Sequence, residues 1–134
     1  MDIETLRSYC IQKPGVTEAF PFDENTLVFK VGGKMFALCD VEDFGGVNLK
    51  CDPGKAVELR EKYDGVQPGY HMSKKHWNTV QAGMDVNDKL FYALIDHSYE
   101  LVVQGLPEKD RKALATQRRK AEKPAKVPLR KKKK

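Results

Sequence analysis

The sequence predicts an α+β fold in which an antiparallel sheet carries helices packed on one face. Three observations lead there. Two runs, residues 25–31 and 34–40, alternate apolar and polar side chains around Gly32-Gly33, the pattern of paired, half-buried strands. Apolar residues recur at helical spacing in residues 2–12, 53–63 and 85–104, each run bounded by capping or breaking residues. The strands follow one another without a helix between each pair, which favours an antiparallel meander over a parallel sheet.

The first helix is expected over residues 2–12, with Ile3, Leu6 and Cys10 on one stripe and Lys13-Pro14-Gly15 as its stop. Residues 16–23 predict a loop or a short extended piece, with Phe20 and Phe22 flanking Pro21. In the strands that follow, Leu27, Phe29 and Val31 share one face, and Phe36 and Leu38 alternate in the next. Gly32 and Gly33 between them accept the positive φ that a two-residue hairpin requires. A turn around Asp43-Phe44-Gly45-Gly46 leads to a third short strand, Val47-Asn48-Leu49-Lys50. Asp52 before Pro53 predicts an N-cap with proline at the first helical position, and Ala56, Leu59 and Tyr63 give that helix its stripe. Trp77-Asn78-Thr79-Val80 predicts a fourth strand. Asp85, with Asp88 three residues on, predicts the start of a helix faced by Phe91, Leu94, Ile95, Ser98 and Val102. Gly105 closes it, and Pro107 opens a last helix that runs into a lysine-rich tail.

The chain has 134 residues, the length of one domain. Met1-Asp2-Ile3-Glu4-Thr5 is acidic and leads no apolar stretch, so no secretory signal is expected. No apolar run is long enough to span a bilayer. Cys10, Cys39 and Cys51 are odd in number and widely spaced, which fits reduced thiols in the cytoplasm better than a disulfide framework. The net charge of +5 is unevenly spread. Through residue 110 the chain carries 12 Lys/Arg and 18 Asp/Glu, a net −6; from Arg111 onward it carries 12 Lys/Arg and one Glu, a net +11. The body is therefore mildly acidic and the tail strongly basic, so an anionic partner would need a local basic patch on the body.

No nucleophile elbow, P-loop, dinucleotide fingerprint or H-E-x-x-H is present. Cys39 and Cys51 lie in strand context, where a cysteine packs. His71 and His76 lack an accompanying C-x-x-C, so no zinc site is expected. The most distinctive segment is Gln67-Pro68-Gly69-Tyr70-His71-Met72-Ser73-Lys74-Lys75-His76-Trp77-Asn78-Thr79-Val80. Pro68-Gly69 dictates a turn, so Tyr70, His71 and Ser73 through His76 are expected on a loop, with Trp77 in the core. Lys74, Lys75 and His76 would project together and suit an anionic partner. Arg118-Arg119-Lys120 and Arg130 through Lys134 fit both phosphate neutralisation and a plain solubilising extension.

These residues carry a resemblance to the MmcQ/YjbR family of small bacterial proteins. It rests on Tyr9-Cys10, Lys13-Pro14-Gly15, Lys34-Met35-Phe36-Ala37 and Asn48-Leu49-Lys50-Cys51-Asp52-Pro53. It continues through the segment from Gln67 to Val80, then Leu94-Ile95-Asp96-His97-Ser98-Tyr99 and Leu106-Pro107-Glu108-Lys109. The resemblance covers residues 1–117 and implies a CyaY-like α+β domain. Residues 118–134 depart from it and are expected to form a basic, disordered tail. The family is described as DNA-binding through loops that act as wings. By that resemblance the loop bearing His71, Lys74, Lys75 and His76 and the hairpin bearing Lys34 would hold DNA, with Arg118, Arg119 and Lys120 assisting from the tail. The expectation is a non-catalytic, monomeric, cytoplasmic module without cofactor or metal. It contacts mainly DNA phosphates with low sequence specificity. The alternative expectation is a domain that binds a protein or a small ligand on the open sheet face, with nucleic-acid contact incidental.

Overall fold

The computed structural model describes the backbone of residues 1–130 and the side chains of residues 1–119. The elements in chain order are α1 (Ile3–Ile11), β1 (Val16–Ala19), β2 (Thr26–Val31), β3 (Lys34–Asp40), β4 (Gly46–Lys50), α2 (Pro53–Lys62), β5 (Val66–Pro68), β6 (Trp77–Gln81), α3 (Asp88–Gln104) and α4 (Glu108–Arg130). The strands form one sheet in the order β1-β2-β3-β4-β6-β5, and every neighbouring pair is antiparallel. The α+β architecture with an antiparallel sheet is the one the sequence predicts.

One sheet face builds the main core. Leu27, Phe29, Val31, Val47, Leu49 and Val80 project from it against Leu6 and Cys10 of α1, Ala56 and Leu59 of α2, and Leu114 of α4. α3 crosses the same face with Phe91, Leu94, Ile95, Tyr99, Val102 and Val103 buried, the i, i+3, i+4 spacing of a core-facing helix. The Gly32-Gly33 turn takes φ of 61° and 78°, as a two-residue hairpin demands. A Cβ on Gly32 would lie 2.7 Å from the Leu106 side chain, so the α3–α4 connection seats directly on this turn. In β3 the register with β2 shifts so that Phe36 and Ala37 both face the core opposite Phe29, a β-bulge.

Two strands go beyond the sequence reading. Val16–Ala19, expected as a loop or short extended piece, is the edge strand β1. Val66–Pro68 forms the opposite edge, β5. Both are too short for an alternating apolar pattern to show. The cap of α3 also differs from expectation. Asn87 is the N-cap, its side chain accepting from the Leu90 amide at 2.8 Å. Asp85 is turned instead to the β5 approach, where it accepts from the amides of Asp64 and Gly65 at 2.8 Å each. Those two bonds hold its carboxyl below the usual carboxylate range. Asp52 does cap α2, accepting from the Lys55 amide at 3.1 Å, with Pro53 in the first turn.

The second sheet face is not bare. Val28, Leu38 and Trp77 form a small separate cluster there, joined by Met35 and Met72. Met72 belongs to the connection between β5 and β6, which folds back over this face.

Candidate functional site

The pairings Val31↔Lys34, Ala37↔Leu49 and Lys50↔Trp77 place three features at one end of the sheet: the β2–β3 turn, the close of β4 and the β5–β6 loop. Lys34 and the loop are separated by β4, two strand spacings or about 10 Å. Lys30, opposite Met35, and Lys50, opposite Trp77, lie on the helix-free face leading into this end. The pairings Thr26↔Asp40 and Gly46↔Gln81 define the other end. There the chain places Asp23, Glu24, Asp40, Glu42, Asp43 and Asp85. The strands and their connecting turns thus carry lysines toward one end and carboxylates toward the other. Asp52, at the first end, accepts from the Lys55 amide, and Glu108 and Asp110 of α4 follow Leu106, which packs on the Gly32 turn.

The β5–β6 loop is built from paired turns. Met72 N–H donates to Gly69 O at 3.2 Å, and His76 and Trp77 N–H donate to Ser73 O at 3.3 and 3.0 Å. Gly69 is required by contact: a Cβ there would sit 2.7 Å from Trp77 Cβ and 2.9 Å from Trp77 O. His71 takes φ of 59°, the one positive value outside glycine among the described residues. Side chains of the helix-free face fasten the loop. Tyr70 N–H donates to Thr79 Oγ1 at 3.0 Å, Asn48 Nδ2 donates to Tyr70 O at 3.2 Å, and the Thr79 hydroxyl donates to Asn48 Oδ1. From the helix side, Arg60 donates to Lys74 O at 2.8 Å.

His71, Lys74, Lys75 and His76 are exposed, as expected, and Lys34 is exposed at its turn. They are not equivalent. The Lys74 ammonium is folded back onto Gly69 O at 3.0 Å, which makes it a clasp of the loop as well as a cation. Arg118 is elsewhere, on the helix side, paired with Glu100 at 2.6 Å and set over the Tyr99 ring. Arg119 is exposed, with a 3.5 Å contact to Thr116 Oγ1. The Lys120 side chain, the side chains after it, and residues 131–134 altogether lie outside the described residues. α4 itself continues across the 117/118 boundary to Arg130.

Sequence reasoning missed Lys30, Lys50, Arg60 and the Asn48–Thr79 pair. Lys30 and Lys50 each alternate with buried neighbours, so a signal was present, but only the register shows that they share a face. It also left Tyr70 out of the binding set, although an aromatic directly after Pro-Gly is a visible sign of exposure.

Other residues of the recognisable segments build the scaffold. Tyr9 Oη donates to Asp96 at 2.8 and 2.9 Å, and Lys13 Nζ meets the same carboxylate at 2.5 Å. Burial, then this carboxylate, pushes the Tyr9 hydroxyl up to about 12. Tyr99 Oη donates to Pro14 O at 2.6 Å. His97 Nε2 accepts from the Asp52 amide at 3.2 Å, and burial followed by the nearby Lys55 lowers its pKa. All three cysteines are buried and free, and burial pushes the Cys10 and Cys39 thiols up to about 12, far from a reactive thiolate. Among the described residues no group of three or more His, Cys, Asp or Glu is placed to hold a metal ion, and no helix is long and apolar enough to cross a membrane.

An antiparallel α+β domain with a pinned, cation-bearing loop at one sheet end is the class that fold and site define. The YjbR family model matches residues 11–101. The chain is 39% identical to the uncharacterized protein YbdF of Escherichia coli O157:H7 over 110 residues, covering 81% of this chain and 90% of that protein. It is 37% identical to the uncharacterized protein YjbR of Escherichia coli K12 over 115 residues, covering 85% and 98%. Among solved structures it is similar to Deinococcus radiodurans DR2400, of domain DUF419, with a TM-score of 0.80, 40% identity and coverage of 85% and 88%. A Pseudomonas syringae protein follows with a TM-score of 0.65, 26% identity and coverage of 75% and 98%. The chain belongs to the YjbR family.

Proposed function

We propose that this protein is a non-catalytic DNA-binding module that holds phosphates at the basic end of its sheet, assisted by the basic C-terminal segment. The observation that carries this reading is the sorting of charge along the strands. Lys34, Lys75 and His76 are exposed at one end, with Lys30 and Lys50 leading to it, while the carboxylates of Asp23, Glu24, Asp40, Glu42 and Asp43 sit at the other. A body of net −6 repels a polyanion on average, but a segregated field orients it and admits it at one end. Contacts of this kind go to the backbone and carry little sequence information. The family's DNA-binding description, given above as an expectation, agrees with this reading.

The test is fluorescence anisotropy of a labelled duplex titrated with the full chain between 50 and 200 mM salt. Lys34→Ala/Lys75→Ala should weaken binding and lower the slope of log Kd against log salt by about 2, since each neutralised phosphate contributes about 0.9. Serine at Lys131 through Lys134 is the companion variant. If it alone lowers affinity while the double variant binds like wild type, the charge of the C-terminal segment accounts for the binding and the sheet-end reading is lost.

A further inference from the structure

Tyr70 is the most exposed large apolar side chain among the described residues, at 69%, yet both of its backbone groups are bonded. Its N–H and C=O are both taken, by Thr79 and Asn48, whose side chains are themselves joined on the helix-free face. The Tyr70 ring rests against the His71 ring with centroids 4.0 Å apart, and His71 accepts a positive φ to stand there. A loop that only connected β5 to β6 would gain nothing from bonding both backbone groups of a residue whose aromatic ring stands in solvent. An exposed ring on a backbone bonded at both its N–H and its C=O has the form of a binding surface. Lys75 in the same loop and Lys50 opposite Trp77 give the ring a positively charged surrounding that suits a phosphate backbone.

We propose that Tyr70 is a base-stacking platform and that the nucleic acid this loop prefers is single-stranded; this rests on the nucleic-acid reading above and refines its ligand. In a duplex the base faces are stacked on one another and closed to a side chain. In a single strand each base offers a flat face, and a ring beside a phosphate-binding cation track can take one. A ring already held in place gives up little conformational freedom on binding, which favours affinity.

The experiment compares a labelled 12-nucleotide single strand with the duplex of the same sequence, at one salt concentration, against wild type, Tyr70→Ala and Tyr70→Phe. The wild type should bind the single strand more tightly than the duplex. Tyr70→Ala should weaken single-strand binding about 5- to 150-fold, the effect of losing one stacked base, and leave duplex binding and the salt slope unchanged. Tyr70→Phe should retain most of the affinity. Because the ring is exposed and the backbone bonds remain, the thermal midpoint of Tyr70→Ala should match wild type, which separates loss of stacking from loss of fold. Equal or tighter binding of the duplex, or an alanine variant that binds the single strand like wild type, overturns the proposal. If Lys34→Ala/Lys75→Ala still lowers the salt slope in that event, the phosphate reading stands without it. Failure of the wild type to bind either probe removes both.

Discussion

Ser98 is fully buried between the bulge of β3 and the close of β4. Its hydroxyl donates to Phe36 O at 2.5 Å and accepts from the Lys50 amide at 2.9 Å. The β3–β4 ladder ends at the Ala37↔Leu49 pair, and a side chain from α3 satisfies the backbone groups just beyond it, Phe36 O and Lys50 N–H. Ser98→Ala should therefore cost about 2–6 kcal/mol, two buried backbone groups left unpaired at 1–3 each, read as a lower urea midpoint with an unchanged m-value. The sequence placed Ser98 on the core face of its helix, yet nothing in a helical stripe tells a serine that packs from one that repairs a sheet. The same limit applies to Asp85. Its distance from Asp88 looked like a capping box, and the competing use, two amides across the β5 approach, depends on a contact 20 residues away in the chain. Asp52 was legible because its cap is local and proline follows it.

The β5–β6 loop derives its order from a second, minor core. Trp77 is 8% exposed and packs with Val28, Leu38, Met35 and Met72 on the face that has no helices. Trp77→Ala should destabilise the domain by about 3–5 kcal/mol, and hydrogen exchange should show the loop amides from Tyr70 to His76 losing protection before the rest of the sheet. The expectation of Trp77 in the core held, but the face was not foreseen, because alternation shows that two faces exist and not what covers them. α2 is tied to α3 through His97, whose neutral Nε2 accepts the Asp52 amide. Since folding lowers its pKa, the unfolded chain takes up the proton first as pH falls. The contribution is thus complete above the unfolded value, about 6.5, and lost as pH falls from there through the folded value. Thermal midpoints measured from pH 8 to 5 should decline below about pH 6.5. His97→Gln, which keeps an acceptor without titrating, should flatten that decline.

Across the whole molecule, the turns, the strands β2, β3, β4 and β6 and the four helices were legible because their signals lie within ten residues: paired glycines, alternation, caps and stripes. The edges β1 and β5 were not, since three or four residues carry too little pattern and are specified by their partners. The charge polarity was hidden for the same reason: Lys30, Lys50 and Lys75 are far apart in sequence and meet only through register. The edges also bear on how copies of this protein meet. Gly69 N–H and Gly65 O bond to β6, so Val66 and Pro68 point away from the sheet, as alternation in an antiparallel strand requires. The Val66 N–H is already given to Tyr63 O at 3.2 Å, and Pro68 has none. The β5 border therefore offers no free donor to an incoming strand, and this side of the domain is closed to the edge-to-edge polymerisation that open sheets invite.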